Sequence, residues 1–166
     1  MKKFLSCYYD LDGSPCSFDF FHFLMTAELN RVHRQCDEIA LTFVFGPDRG
    51  YKKDNIRTYE QNDMFFKNVL WQGPHLLKSC KSIMCIDRES KIKISHEDPD
   101  LIFPRGYKLE TPKHDYTARG IVAAFVRREK PTFLVAPNYS RQIVRQYLEN
   151  FDGKKIITLT TRELSR

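Results

Sequence analysis

The stretch FLSCYYDLDGSPCSFDF, residues 4–20, passes from an apolar, β-rich run through two aspartates and a Gly-Ser-Pro turn into the start of a helix. FLSCYY reads as a short buried strand. Ser17 is placed to cap the helix that follows, and Asp19 falls in its first turn, where a negative charge faces the positive end of the helix dipole. SFDFFHFLMTAELNRVHRQC continues that helix, with Phe21, Met25, Leu29, Val32 and Cys36 recurring every three or four residues. Phe18, Phe20, Phe23 and Leu24 make its early turns apolar on more than one side, so the helix is expected to be largely covered.

The same alternation continues outward. IALTFVF, residues 39–45, is nearly all apolar, as suits an interior strand of a parallel sheet covered on both faces. After the polar loop GPDRGYKKDN, a second helix is expected from Asp54 or Asn55 through IRTYEQNDMFFKNVLWQ, ending before Gly73-Pro74. SIMCI, residues 82–86, is a third strand. Residues 87–114 carry little periodicity, but a connection of that length without structure is uncommon, so a short strand or helical turn is expected inside it. YTARGIVAAFVRRE gives a helix, PTFLVAP a fourth strand, YSRQIVRQYLENF a last helix and KKIITLTT a fifth strand. Strands separated by crossovers of this length predict an α/β fold: one three-layer Rossmann-like domain over residues 1–166 with a mostly parallel sheet of about five strands.

Composition narrows the class. A chain of 166 residues with 42% hydrophobic and 29% charged residues is an ordinary globular composition, not a disordered one. Thirteen Phe and eight Tyr predict thick aromatic packing. The net charge of +6 suits an anionic ligand or a solvated basic surface, but no Lys/Arg block or recognition module accompanies it, so nucleic acid is not an expected partner. The cysteines Cys7, Cys16, Cys36, Cys80 and Cys85 form no CxxC pair and are odd in number, which points to reduced thiols, a cytoplasmic location and several small core residues. The apolar run near the start is short and meets Asp10 before any small-residue cleavage site, so no signal peptide is expected; no apolar run is long enough to span a bilayer, and peripheral membrane contact stays open.

Asp10, Asp12 and Gly13 match the short DxDG pattern of phosphotransferases in which one carboxylate attacks phosphorus and a second moves protons. Such an enzyme also needs a hydroxyl after the second strand, a neutralising lysine and further acids for Mg²⁺, yet the chain offers Gly46-Pro47-Asp48 at the first of those places. Asp-Gly is equally a common turn. No His/Cys arrangement has metal-ligand spacing, and no metal is expected.

In an open parallel sheet, ligands bind beyond the carboxyl ends of the strands. Candidate positions therefore lie at residues 10–17, 46–53, 87–88, 137–140 and 161–163. Arg49 and Lys52, between glycines and a helix start, can hold an anion. Arg105 and Tyr107 can form a substrate loop, with His114 available to exchange a proton. Arg162, at the end of IITLTTRE, can grip a phosphate in bidentate fashion.

Together, YDLDGSPCSFDFFHFLMTAELNR, IALTFVFGPDRGYKKD, FPRGY and SRQIVRQYLENFDGKKIITLTTRE resemble the amino-terminal region of a group of bacterial glycosyltransferase-like proteins of the two-domain GT-B type. The terminal strand resembles that of fucosyltransferases, where an arginine contacts the diphosphate of a nucleotide sugar; that role falls here on Arg162, while Thr160 stands where the family has histidine. The resemblance implies that this chain is the amino-terminal half of a larger protein and supplies the acceptor side of a sugar-transfer cleft. A nucleotide-sugar donor would come to a carboxyl-terminal domain, and no other cofactor is implied. Transfer needs a base for the acceptor hydroxyl, expected to be Asp12, with Asp19 and His114 as alternatives. Asp10 is a further acceptor contact, and Tyr9, Tyr51 and Tyr107 are expected as walls against the sugar. A stand-alone α/β binding or scaffolding protein and an aspartate-nucleophile, Mg-dependent phosphohydrolase remain as other readings, and the sequence fixes no oligomeric state.

Overall fold

Side chains of a strand alternate between the two faces of a sheet, and in β1 (Phe4–Asp10) this sends Leu5, Cys7 and Tyr9 to one side. The parallel register with β2 (Glu38–Phe45) sets Leu5 beside Ile39, Cys7 beside Leu41 and Tyr9 beside Phe43, so apolar rows run across that face. β3 (Cys80–Asp87) pairs in parallel with β2, and a two-residue strand, β4 (Ile102–Phe103), pairs in parallel with β1 at Ser6 and Cys7. These residues belong to a computed structural model that describes residues 2–53, 57–89, 98–111, 118–129 and 134–149. The chain divides into two compact units, Met1–Val135 and Ala136–Arg166; the sheet lies in the first, and helix α4 (Asn138–Glu149) lies in the second.

The strand order is β3-β2-β1-β4. The chain therefore steps from β1 to β2 and β3 in one direction, then returns to the far side of β1. An α/β protein with a parallel four-stranded sheet results, and its order reverses between β1 and β4. The short element expected within residues 87–114 is found as a 3₁₀ turn, Pro99–Leu101, leading into β4. PTFLVAP does not supply the fourth strand in its described part: residues 134–137 have no regular structure, although the Val135 N–H donates to the Leu76 carbonyl at 2.8 Å. KKIITLTT lies outside the described residues.

Helix α1 (Asp19–His33) follows β1 and ends where Gln35 turns to a positive φ of 52°. Ser17 caps it one residue early: its Oγ accepts from the Asp19 N–H at 3.2 Å and donates to the Asp19 carboxylate at 2.9 Å. The buried stripe begins at Phe20, not Phe21, and runs through Phe23, Leu24 and Ala27 to the expected Leu29, leaving Val32 exposed. Tyr9 decides between the two stripes, because its ring meets Phe20 at 4.8 Å and Phe23 at 5.0 Å, both edge-on. Cys7, Cys16 and Cys36 are buried in the core without disulfide bonds, as expected.

α2 (Tyr59–Phe65) starts later than Asp54, at a capping box in which Thr58 and Gln61 satisfy each other's backbone N–H groups. One π-helical turn, Phe66–Leu70, extends it and places Phe66 against Phe43 at 5.1 Å. α3 (Ala118–Val126) packs against α1.

At the amino end of the sheet, the fully buried Glu28 of α1 accepts two hydrogen bonds from Arg31, each 2.8 Å, and one from Ser79 Oγ at 2.6 Å. Arg31 also donates to the Cys36 carbonyl at 2.7 Å, so this one carboxylate ties the end of α1 to the starts of β2 and β3. Glu28→Ala strips a mostly buried guanidinium of its counter-charge, and the expected cost is about 3 kcal/mol, read as a fall of about 10 °C in thermal unfolding.

Candidate functional site

The carboxyl ends of the strands meet at Asp10. Past it the Leu11 N–H still bonds to the Val44 carbonyl at 2.8 Å, and the chain then turns sharply. Asp10 Oδ1 accepts from the backbone N–H groups of Asp12 and Gly13, each at 3.1 Å, so the side chain itself folds the turn. Arg88, just past β3, donates through Nη2 to the same oxygen at 2.5 Å. Tyr107, past β4, donates its hydroxyl to Oδ2 at 2.6 Å. With 1% of its surface exposed, Asp10 has both oxygens engaged and enclosed by protein. A carboxylate in this state braces the fold, and an attack on phosphorus from it would require Arg88 and Tyr107 to withdraw.

Asp12 differs. Its side chain is 40% exposed and lies 3.4 Å from Arg88 Nη2. It rests against the backbone of Gly46 at the end of β2, where an added Cβ would come within 2.9 Å of the Asp12 Cβ. Glycine at that position is thus a requirement of space. Arg88 continues the β2–β3 ladder with its N–H on the Phe45 carbonyl at 3.0 Å, and its side chain is 19% exposed. Its buried Nε has no hydrogen-bond partner among the described residues.

Tyr107 lies flat on Tyr8, ring centroids 5.0 Å apart and planes 5° apart. Burial, and then the hydrogen bond and charge of Asp10, push its hydroxyl far above the ordinary tyrosine range. Burial pushes Tyr8 up to about 12.

The remaining expected residues divide. Lys52 belongs to this edge: its N–H donates to the Leu11 carbonyl at 2.6 Å, fixing the GPDRGYKK loop beside the Asp12 turn, and its side chain is exposed. Arg49, also exposed, sits 5.3 Å from the Phe45 ring centre and 3.6 Å from Asp87. Asp19 is occupied with Ser17 and lies 3.8 Å from His22 Nδ1. Tyr9, Tyr51 and Tyr107 do not form exposed walls, because all three are buried. Tyr9 donates to the Pro15 carbonyl at 2.7 Å, and Tyr51, packed against the rings of Phe45 and Phe66, donates to Asp63 at 3.3 Å. Arg105 turns back to Asp100 at 2.8 Å and lines a shallow depression with Lys3, Arg34 and Asp98, beside the start of β1 and the end of α1. It therefore stands apart from the Asp12 edge. His114 and Arg162 lie outside the described residues.

The guanidinium of Arg88 holding both aspartates was not assigned from sequence. The available signal was an arginine directly after the third strand, facing an acidic edge on the first. Among the described residues, no group of three or more His, Cys, Asp and Glu side chains is placed to hold a metal ion. Fold and site together define an α/β protein with a carboxylate, guanidinium and phenol brace over the ends of a parallel sheet. Comparison with protein-family models, curated proteins and solved structures finds no match for the chain.

The two aspartates are expected to separate in a urea-unfolding experiment. Asp10→Ala leaves Arg88 as a poorly solvated cation and removes an acceptor from Tyr107, for a loss of about 3 to 5 kcal/mol. Asp12→Asn is expected to stay within about 0.5 kcal/mol of the parent. Equal losses would show that Asp12 is structural as well.

Burial raises Tyr51 as well, and all three tyrosines favour the neutral phenol in the folded state. Their contribution is fully present below the unfolded value, about 10, and is lost as pH climbs through the folded values. Stability is therefore expected to fall on the alkaline side from about pH 10, less steeply in Tyr107→Phe. Chemical denaturation across that range measures it, and an identical slope would remove Tyr107 from the account.

Proposed function

We propose that this domain supplies the acceptor side of a sugar-transfer cleft, with Asp12 taking the proton from the acceptor hydroxyl. The observation that carries the reading is the contrast at the β1 edge, where Asp10 is sealed beneath Arg88 while Asp12 presents a half-exposed carboxylate. Arg88 fixes the position of Asp12, leaving its outward side for a ligand. Asp10 takes up the buried face of the Arg88 guanidinium, so Asp12 keeps an exposed carboxylate oxygen for a hydroxyl proton. Lys52, exposed on the adjoining loop, supplies a donor for hydroxyl oxygens on the β2 side.

The sequence resemblance supports the assignment to the acceptor half. In this reading the nucleotide-sugar donor is held by a further domain or partner, the protein works in the bacterial cytoplasm, and Arg162 faces the diphosphate. No helix among the described residues is long and apolar enough to cross a membrane.

The test is sugar transfer by the protein at its natural length, measured with a panel of nucleotide sugars and glycan acceptors. Asp12→Asn is expected to lower turnover by a factor of about 10² to 10⁴ while the fold is kept. Turnover that survives the substitution would remove Asp12 as the base. Glycan binding without transfer by the natural-length protein would make it a binding module.

A further inference from the structure

β3 stands at the end of the sheet order, and among the described residues it pairs with β2 alone. It is eight residues long, CKSIMCID, contains no proline or glycine, and presents Met84 at 51% exposure with Lys81, Ser82, Cys85 and Asp87 also exposed. An edge of this length that is open among the described residues is a template for pairing with another strand.

The ladder fixes which groups are free. The Arg88 N–H points to Phe45 on β2, so by alternation Met84 and Ile86 also direct their backbone groups toward β2. Ile83, Cys85 and Asp87 turn theirs outward. The charges then select a register. Lys81 and Asp87 lie three residues on either side of Met84. A two-fold antiparallel pairing centred on Met84 sets Lys81 of each copy opposite Asp87 of the other, Ile83 opposite Cys85, and Met84 opposite Met84. A parallel pairing in register would instead bring Lys81 against Lys81. At Asp87 the competing contact is loose, with Arg49 at 3.6 Å and both side chains at least half exposed. The ladder irregularity between Ile39 and Ala40, opposite Cys80 and Ser82, makes Lys81 the extra residue of a bulge, and its long stem can span the displacement.

We propose that two copies of this chain join their sheets edge to edge through β3, antiparallel about Met84, with two Lys81–Asp87 pairs fixing the register. The Ile83–Cys85 positions contribute about four ladder hydrogen bonds, and the symmetric charge pairs select a second copy of this chain. The proposal does not depend on the sugar-transfer reading, although Asp87 adjoins Arg88, which holds Asp12.

Sedimentation equilibrium of the full chain is expected to show a concentration-dependent dimer. Lys81→Glu sets like charges opposite each other twice and is expected to weaken association about tenfold or more, while Lys81→Glu combined with Asp87→Lys restores it. In a Cys85→Ser background, Met84→Cys is expected to cross-link to itself under mild oxidation, because opposed residues of this non-hydrogen-bonded type have Cα atoms about 4.5 Å apart, within disulfide reach. A chain that stays monomeric at the highest concentration it tolerates overturns the proposal. So does a dimer that is indifferent to Lys81→Glu, or one in which Met84→Cys does not cross-link.

Discussion

The carboxylate of Asp10 is the constraint on which the carboxyl edge of the sheet depends. One oxygen folds the turn after β1 and takes the Arg88 guanidinium from beyond β3; the other takes the Tyr107 hydroxyl from beyond β4. Three strand ends are thereby held by a single side chain. An ion pair this enclosed contributes little net stability compared with apolar packing, but leaving either partner alone is costly. The arrangement thus specifies where the loops go more than it strengthens the fold.

That specification determines which part of the edge is open. In a sheet of this order the crevice between β1 and β4 is the usual place for a ligand, but here Tyr107 lies in it, flat against Tyr8. The exposed polar groups are instead on the β2 side, where Asp12 rests on Gly46 and the Lys52 backbone is bonded to Leu11. The absence of a side chain at Gly46 is what lets the Asp12 turn come so close.

Packing is uneven across the sheet. The large cluster, with Tyr9, Phe20, Phe23 and Phe43 at its centre, fills the face beneath α1 and the π-helical turn, whereas the other face carries a small cluster of Tyr8, Val44, Ile86, Ile102 and Tyr107. Tyr107 belongs to that second cluster and to the Asp10 brace at once, so the site and the thinner core share a residue. At the sheet's end, β3 has most of its side chains exposed.

Sequence by itself determined the parallel α/β alternation, the places of β1, β2, β3 and α1, and the presence of a short element within residues 87–114. Those features follow from local periodicity, turn chemistry and capping, which operate over a few residues. Only the tertiary structure decided that the buried stripe of α1 starts at Phe20, because several faces of that helix are apolar and Tyr9 selects among them. It likewise made Ile102–Phe103 a strand, since two residues gain their strand character only from pairing with Ser6 and Cys7. Asp10 and Asp12 are alike as residues two apart on one turn; one is sealed and the other open because Arg88 and Tyr107, distant in sequence, converge on the first. The burial of Asp10 and its pairing with Arg88 arise between segments, and no local pattern encodes them.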